Sequence, residues 1–454
     1  MLRIAVVGSG PSGLYAAESL AKSGAAVDVI ERLPAPYGLV RYGVAPDHEK
    51  IKSIVGTLER IFGLPGIHFL GNVEVGDEPD SDLTPDELAT YYDAVIHASG
   101  AAVDRHLDID GENLPGSFSA TEFVAWYSGH PDSAVDHFTL DARTAVVIGV
   151  GNVAVDVARI LLKSADDLAV TDMPVHALNV LRRSHIEDVH MVGRRGAAQA
   201  KFTTKELREF GEISGADVIV DPADLVLDEA SEQAIAESAA LRRNLEVLQD
   251  WSTRKPAGRQ RRLHLRFLQR PEAILGADRV EAVRLRRTEL DGTGGVHDTE
   301  LSTDIPSQLV LRSVGYRGVA IPGLPFDDRA GIVPHDEGRV IRDGNPVPGR
   351  YVAGWIKRGP TGVIGTNRHD AKETVTSLLA DAEAGRLPAP RGNAEDLVAL
   401  LTERGSTVVR WEGWQAIDAA ERALGAEQGR ERAKIHARDD LLSAAGHEPA
   451  KATN

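Results

Sequence analysis

The sequence predicts an α/β chain built on two Rossmann-like, dinucleotide-binding βαβ units, and three observations predict it. Residues 3–8 (RIAVVG) form a short β-branched run that leads directly into Gly8-Ser-Gly10-Pro-Ser-Gly13. Residues 143–149 (RTAVVIG) form a second such run, leading into Gly149-Val-Gly151-Asn152-Val153-Ala154. Each glycine turn is followed by apolar residues at helical spacing, so the order is strand, glycine turn, helix in both places.

In the first unit each glycine has its own role. Gly8 permits the tight turn, Gly10 lets the backbone approach a pyrophosphate, and Gly13 lets the helix pack closely on the strand. The start of that helix supplies free N–H groups and a partial positive charge. Leu14, Ala17 and Ala21 mark its buried face, and Gly24 offers a C-cap. A second strand, residues 27–31, ends in Glu31, where dinucleotide folds place the acid that holds a ribose hydroxyl. Residues 33–46 follow as a loop punctuated by proline and glycine yet too apolar for a linker, and such a loop is expected to cover a ligand. Asp47 is the expected N-cap of one helix running through Ile51, Ile54, Val55 and Leu58. Residues 68–75 read as a pair of strands, and residues 93–100 as a further strand ending in small residues.

The second unit differs at the position that reads the cofactor. Ala154 stands for the third glycine, which needs only small size. After the strand of residues 186–192 the ribose acid is replaced by Gly193-Arg194-Arg195-Gly196. A carboxylate there would accept the 2′-hydroxyl of NAD, whereas guanidinium groups pair with a 2′-phosphate. The bland alternative is two solvated arginines on a surface turn. Two units, only the first ending in a carboxylate, suggest FAD in the first and NADPH in the second. A strand over residues 309–315 closes the second unit. Residues 351–355 form a strand running into a third glycine-rich loop, Gly359 to Gly365, and residues 371–379 are helical. Such a loop at a helix start can aim N–H dipoles at an anion. Beyond Pro388 the pattern is alanine-rich and amphipathic, and residues 446–454 read as a frayed tail.

At 454 residues with 42% apolar content the chain is expected to form two domains. It contains no cysteine, which excludes disulfides, thiolate metal sites, iron–sulfur clusters and any redox dithiol, and no metal site is expected. A net charge of −17 disfavours nucleic acid as a partner. No leader is apparent and no apolar run approaches a membrane span, so the expectation is a cytoplasmic protein. Residues 251–270 stand apart: Arg254, Lys255, Arg259, Arg261, Arg262, Arg266 and Arg270 occur with no acid among them. They are either a solvated basic loop or a docking patch, centred on Arg259, Arg261 and Arg262, for an acidic partner.

Four stretches together resemble one family: the first glycine turn with Glu31, Pro36-Tyr-Gly-Leu-Val-Arg-Tyr-Gly-Val-Ala-Pro-Asp-His48, Gly193 to Gly196, and Gly354-Trp-Ile-Lys-Arg-Gly-Pro-Thr-Gly-Val-Ile-Gly365. The chain is similar to the adrenodoxin reductase-like ferredoxin-NADP reductases, especially their actinobacterial members, over nearly its whole length. The resemblance implies a discontinuous FAD domain (1–103 and 320–454, the latter with a C-terminal helical segment) interrupted by an NADPH domain (104–319). It implies FAD contacts at Ser12, Glu31, Leu39, Val75, Trp355, Gly362, Val363 and Ile364. It implies NADPH contacts at Arg105, Asn152, Val153, Arg194, Arg195, Glu206 and Gly362. It also sets His48 and Glu209 near the flavin, where they would modulate geometry and charge. Without the resemblance His48 is a first-turn surface residue and Glu209 a solvated helix acid. Trp355 would lie at the edge of flavin and nicotinamide, where an aromatic can stack or gate access. The C-terminal segment matches the family least well.

The implied activity is hydride transfer between NADPH and FAD N5, then single-electron transfers to or from ferredoxin. Two other readings compete: an NADPH-dependent quinone or dye reductase or flavin monooxygenase on the same scaffold, and a flavin-binding protein without turnover.

Overall fold

A computed structural model describes residues 1–447, so most of the expected tail at 446–454 lies outside the described residues. The chain divides into two compact units. One comprises Met1–Val103, Ser128–Asp132 and Gly315–Asn454, and the other Asp104–Tyr127 and Ser133–Val314.

The first unit is built on a seven-stranded sheet in the order His335–Asp336, Arg339–Arg342, Asn345–Val352, Ala94–His97, Arg3–Val7, Ala26–Glu31, Ile67–Gly71. The last five run parallel, and the first two add an antiparallel edge. Arg3–Val7 sits at the middle of the parallel part because Ile4, Ala5 and Val6 are apolar and fully buried, as a central strand covered on both faces requires. Helix Pro11–Lys22 packs Leu14, Ala17 and Leu20 against the sheet, ends at Ser23, and is followed by Gly24 at φ +87°.

Two expectations for this unit are corrected. Residues 68–75 contain one strand, not two: after Gly71 the chain turns away at Asn72, held at φ +57° with its side chain donating to the Thr407 carbonyl. The helix expected after Asp47 is two helices, Glu49–Lys52 with His48 as N-cap, and Val55–Phe62. Between them Ser53 Oγ donates to the Lys50 carbonyl while Ile54 and Gly56 donate three residues back, a tighter turn that breaks the α-helical ladder. The alanine-rich C-terminal region forms helices Ala394–Glu403, Trp411–Glu427 and Arg438–Ala444.

The second unit has a six-stranded parallel sheet in the order Ser117–Ser119, Leu309–Arg312, Thr144–Ile148, Asp188–Val192, Arg261–Arg266, Ala216–Val220. Helix Asn152–Leu162 follows its glycine turn and buries Ala154, Val157, Ile160 and Leu161. The unit also carries an antiparallel sheet of Gln269–Leu275, Ala282–Leu290 and Val296–Pro306.

Candidate functional site

The three glycines of the first turn are held by different neighbours. Gly8 has φ +109°, and a Cβ there would lie 2.5 Å from the Ala98 carbonyl oxygen; a Cβ on Gly13 would lie 1.9 Å from the Gly8 carbonyl oxygen. The protein's own backbone therefore demands glycine at both. A Cβ on Gly10 would meet nothing within 4 Å. That open space lies at the start of helix Pro11–Lys22, which has no side-chain cap, so the residues fit a pyrophosphate. Glu31 closes the neighbouring strand, its carboxylate accepting from Ser9 N–H (3.0 Å), Ser9 Oγ (2.6 Å) and Leu33 N–H (3.2 Å).

Two further segments reach this turn. Tyr37 N–H donates to the Ser9 carbonyl at 3.2 Å, and a Cβ on Gly38 would lie 3.1 Å from Gly10 Cα, so the apolar loop rests on the glycine turn. Leu39, at the start of the short helix Leu39–Tyr42, is 47% exposed, while Val75 is half-buried and bridges to Leu83. From the other side Ser12 Oγ donates to Asn367 Oδ1 at 2.7 Å, and Arg358 donates to the same oxygen at 2.7 Å. Gly354 has no room for a side chain, since a Cβ would come 2.5 Å from Ser12 Oγ. Helix Thr366–Glu383 also lacks a side-chain cap and has no acid in its first turn, so two uncapped helix starts meet through Ser12 and Asn367.

The loop preceding that second helix start departs from expectation at one donor. Val363 N–H donates to Thr366 Oγ1 (3.2 Å), so it is not free for an anion. Gly362 takes φ +87°, Val363 is 74% exposed and Ile364 is half-buried. Trp355 is half-buried and stacks on Tyr316, with ring centroids 6.1 Å apart and an interplanar angle of 15°. His48 is buried rather than on the surface.

In the second unit the glycine logic repeats. Gly149 has φ +141° with a hypothetical Cβ 2.1 Å from the Ser313 carbonyl oxygen, while Gly151 faces open space at the uncapped start of helix Asn152–Leu162. Asn152 is exposed, Val153 is half-buried, and the Asn152 carboxamide oxygen accepts from Thr203 N–H at 2.9 Å. Thr203 in turn caps helix Thr204–Glu209, which carries Glu206 and Glu209. Arg194 is exposed and Arg195 half-buried, and neither guanidinium has a hydrogen-bond or ion-pair partner among the described residues. Arg105 is exposed.

Sequence reasoning missed Arg159. Only 1% exposed, it lies 2.8 Å from Asp156, 3.1 Å from Glu209 and 3.7 Å from Glu206, so Glu209 is anchored rather than freely solvated. Its position three residues after Asp156 on an otherwise apolar helix face was the available signal. The basic run is largely engaged within its own unit. Arg259 donates to the Ile213 and Ser214 carbonyls, Arg261 to the Lys163 carbonyl at 2.6 Å, and Arg262 bidentately to Asp188 at 2.6 and 2.5 Å. Burial pushes the Asp188 carboxyl up, but Arg262 and His264 outweigh it and hold it at about 2.

The family model described as pyridine nucleotide-disulphide oxidoreductase matches residues 2–212. A protein of Mycobacterium tuberculosis, NADPH-ferredoxin reductase FprA, is 48% identical, the match covering 97% of this chain and 98% of that one. The mitochondrial NADPH:adrenodoxin oxidoreductase of Arabidopsis thaliana is 40% identical over 98% of this chain and 96% of its own. The solved structure of Mycobacterium tuberculosis FprA in complex with NADPH superimposes with a TM-score of 0.91 at 46% identity, covering 98% of this chain and 99% of that one.

Proposed function

The chain belongs to the adrenodoxin reductase-like NADPH-ferredoxin reductases, and from that premise we propose how its own residues carry the reaction. It is an FAD-dependent oxidoreductase acting between NADPH and ferredoxin. Bound FAD would supply the exchange between two-electron hydride chemistry with NADPH and single-electron transfer with ferredoxin.

The observation that carries the reading is the contrast between the two glycine turns, one backed by a fixed carboxylate and the other by two guanidinium groups without a partner among the described residues. The open space at Gly10 and the uncapped helix start beyond it would take the FAD pyrophosphate, with Glu31 on a ribose hydroxyl. Ser12, Leu39, Val75, Trp355 and the 362–364 turn would complete the flavin's surroundings. Arg194 and Arg195 would pair with the 2′-phosphate of NADPH, and Gly151, Asn152, Val153, Arg105 and Glu206 would hold the rest of that molecule. Hydride transfer needs no side-chain acid or base, so positioning supplies most of the catalysis. His48 and Glu209 would tune charge near the flavin, Glu209 being set by Arg159. With no cysteine in the chain, electrons leave without a dithiol relay.

For the ferredoxin surface the proposal keeps Arg259, Arg261 and Arg262, with a narrower expectation. Their guanidinium groups already serve their own unit, so they would add steering charge rather than dedicated contacts. A cytoplasmic location is part of the same proposal; among the described residues no helix is long and apolar enough to cross a membrane.

The test is anaerobic stopped-flow reduction of the purified yellow protein by NADPH and by NADH, followed by oxidised ferredoxin at low and high salt. Rapid bleaching by NADPH, slower bleaching by NADH and salt-sensitive reoxidation by ferredoxin are expected. Bleaching that ferredoxin cannot reverse would overturn the reading.

A further inference from the structure

The loop that rests on the first glycine turn carries a strained residue at its tip of contact. Tyr37 is buried and held at φ +85°, a left-handed conformation unusual for a bulky residue, which persists only where surrounding structure over-determines it. What surrounds it comes from the far end of the chain. Trp414 packs edge-on against the Tyr37 ring with centroids 5.7 Å apart. Glu421, fully buried, accepts from both terminal nitrogens of Arg41, at 3.0 and 2.5 Å. Arg41 also lies over the Tyr42 ring at 5.0 Å and the Trp414 ring at 5.1 Å.

Glu421 is itself fixed. Its carboxylate accepts from Arg432 at 2.8 Å and from the Ile435 N–H at 2.9 Å. Lys434 donates to the Arg41 carbonyl at 2.6 Å and to the Ser128 carbonyl at 3.0 Å. Arg438 donates to the Arg32 carbonyl (3.0 Å), directly after Glu31, and to Asn72 Oδ1 at 2.8 Å. The C-terminal segment thus grips both the loop that touches Gly10 and the chain leaving Glu31.

We propose that residues 411–438 form a clasp that keeps the 37–42 loop closed on the pyrophosphate turn, with Glu421 as the positioning residue that governs FAD retention. The inference rests on the FAD reading above. A buried ion pair is a poor device for stability alone, because well-packed apolar residues serve that purpose as well or better. It fixes one placement of a strained loop, since the Glu421 carboxylate holds both terminal nitrogens of Arg41 at once.

The experiment titrates FAD into apoprotein by flavin-fluorescence quenching and records the thermal unfolding of the same apoprotein. Four proteins are compared: the unaltered chain, Glu421→Gln, the double variant Arg41→Met with Glu421→Gln, and Arg404→Gln. Arg404 lies outside the clasp, is exposed and pairs with Glu87. The expected result is an FAD dissociation constant raised about tenfold or more in both Glu421 variants and unchanged in Arg404→Gln. The double variant, which removes both members of the buried pair and leaves Arg432 paired with Asp418, should recover most of the apoprotein's thermal stability but not its FAD affinity. If Glu421→Gln does not fold, the double variant alone decides. FAD affinity in the double variant equal to that of the unaltered chain, or recovered in step with stability, would overturn the clasp. An unaltered apoprotein that binds no FAD would overturn the functional reading and the clasp together.

Discussion

A methyl group added at Gly10 would meet nothing within 4 Å, whereas one added at Gly13 would lie 1.9 Å from the Gly8 carbonyl oxygen. The two substitutions therefore separate folding from binding. Gly10→Ala is expected to fold with an unaltered melting temperature as apoprotein, yet to purify colourless, because the new methyl fills the space left for the pyrophosphate. Gly13→Ala is expected to lose about 3 kcal/mol or more of stability, since backbone must move to relieve the overlap. Thermal melts and flavin content of the two proteins check both outcomes. The arginines of the second unit allow a sharper test of cofactor choice. The Arg195 guanidinium has no partner among the described residues, so Arg195→Ala should leave stability unchanged. A charge-assisted bond to phosphate contributes about 2 kcal/mol, so the KM for NADPH should rise roughly 30-fold while the KM for NADH stays within about twofold. Equal loss for both nucleotides would remove the 2′-phosphate role from this residue.

Strands, turns and helices were legible in the sequence wherever their cause is local. Residues 3–31 announce themselves because a β-branched run, three glycines and a helical repeat are all neighbours in the chain. The break between Glu49–Lys52 and Val55–Phe62 was not legible, since one serine hydroxyl redirecting a carbonyl leaves the apolar spacing intact. The antiparallel sheet could have been found: Ala282–Leu290 buries Val283 and Leu285 between the half-exposed Arg284 and Arg286, a period of two. The Arg41–Glu421 pair could not, because 380 residues separate its members and no periodicity links them. The basic run shows the same limit. Which of its cations are free depends on acceptors such as Asp188 and the Lys163 carbonyl, which lie elsewhere in sequence. A prediction follows for the strand Arg261–Arg266. Arg262→Ala strips Asp188 of its bidentate partner; with the arginine side chain 39% exposed, the loss should be only about 1 kcal/mol, a fall of roughly 2–4 °C in melting temperature. Lys255, exposed and without an ion-pair partner among the described residues, should show no such fall when changed to alanine. Calorimetry of the two variants distinguishes a structural cation from a free one.

Across the whole molecule, two opposing electrostatic effects set the response to acid. The chain carries a net charge of −17, and its isoelectric point is near 5.4. Lowering the pH from 7 towards that point relieves self-repulsion and by itself would stabilise the folded state. Buried histidines act the other way. Burial, with Arg350 nearby, lowers His97 to about 3. Burial, with His264 and Arg266 adding to it, lowers His190 to about 3 as well. One lies in each unit. Once unfolded, each would take up a proton near pH 6.5, while the folded form refuses it until about 3. Between those values the unfolded state binds more protons, so stability is full above about 6.5 and falls as the pH drops. The limiting slope is about 1.4 kcal/mol per pH unit for each histidine. Asp188 does not contribute in this window, because its stabilising effect is present above the unfolded carboxylate value and is lost only as the pH falls towards 2. The window from pH 6.5 to 5.4 therefore sets histidine burial against charge relief, and at least three proton linkages, those of His97, His190 and His130, should outweigh a diffuse, salt-screened repulsion. Melting temperature is expected to fall across that window at moderate salt, and His97→Leu, which replaces the buried imidazole with a side chain that takes no proton, should reduce the fall by about a third or less, since His130 is lowered to about 4 as well and burial also lowers His264 and His335. A melting temperature that rises from pH 6.5 to 5.4 would mean that these imidazoles are hydrated and protonated in the folded protein, and that net charge governs its stability.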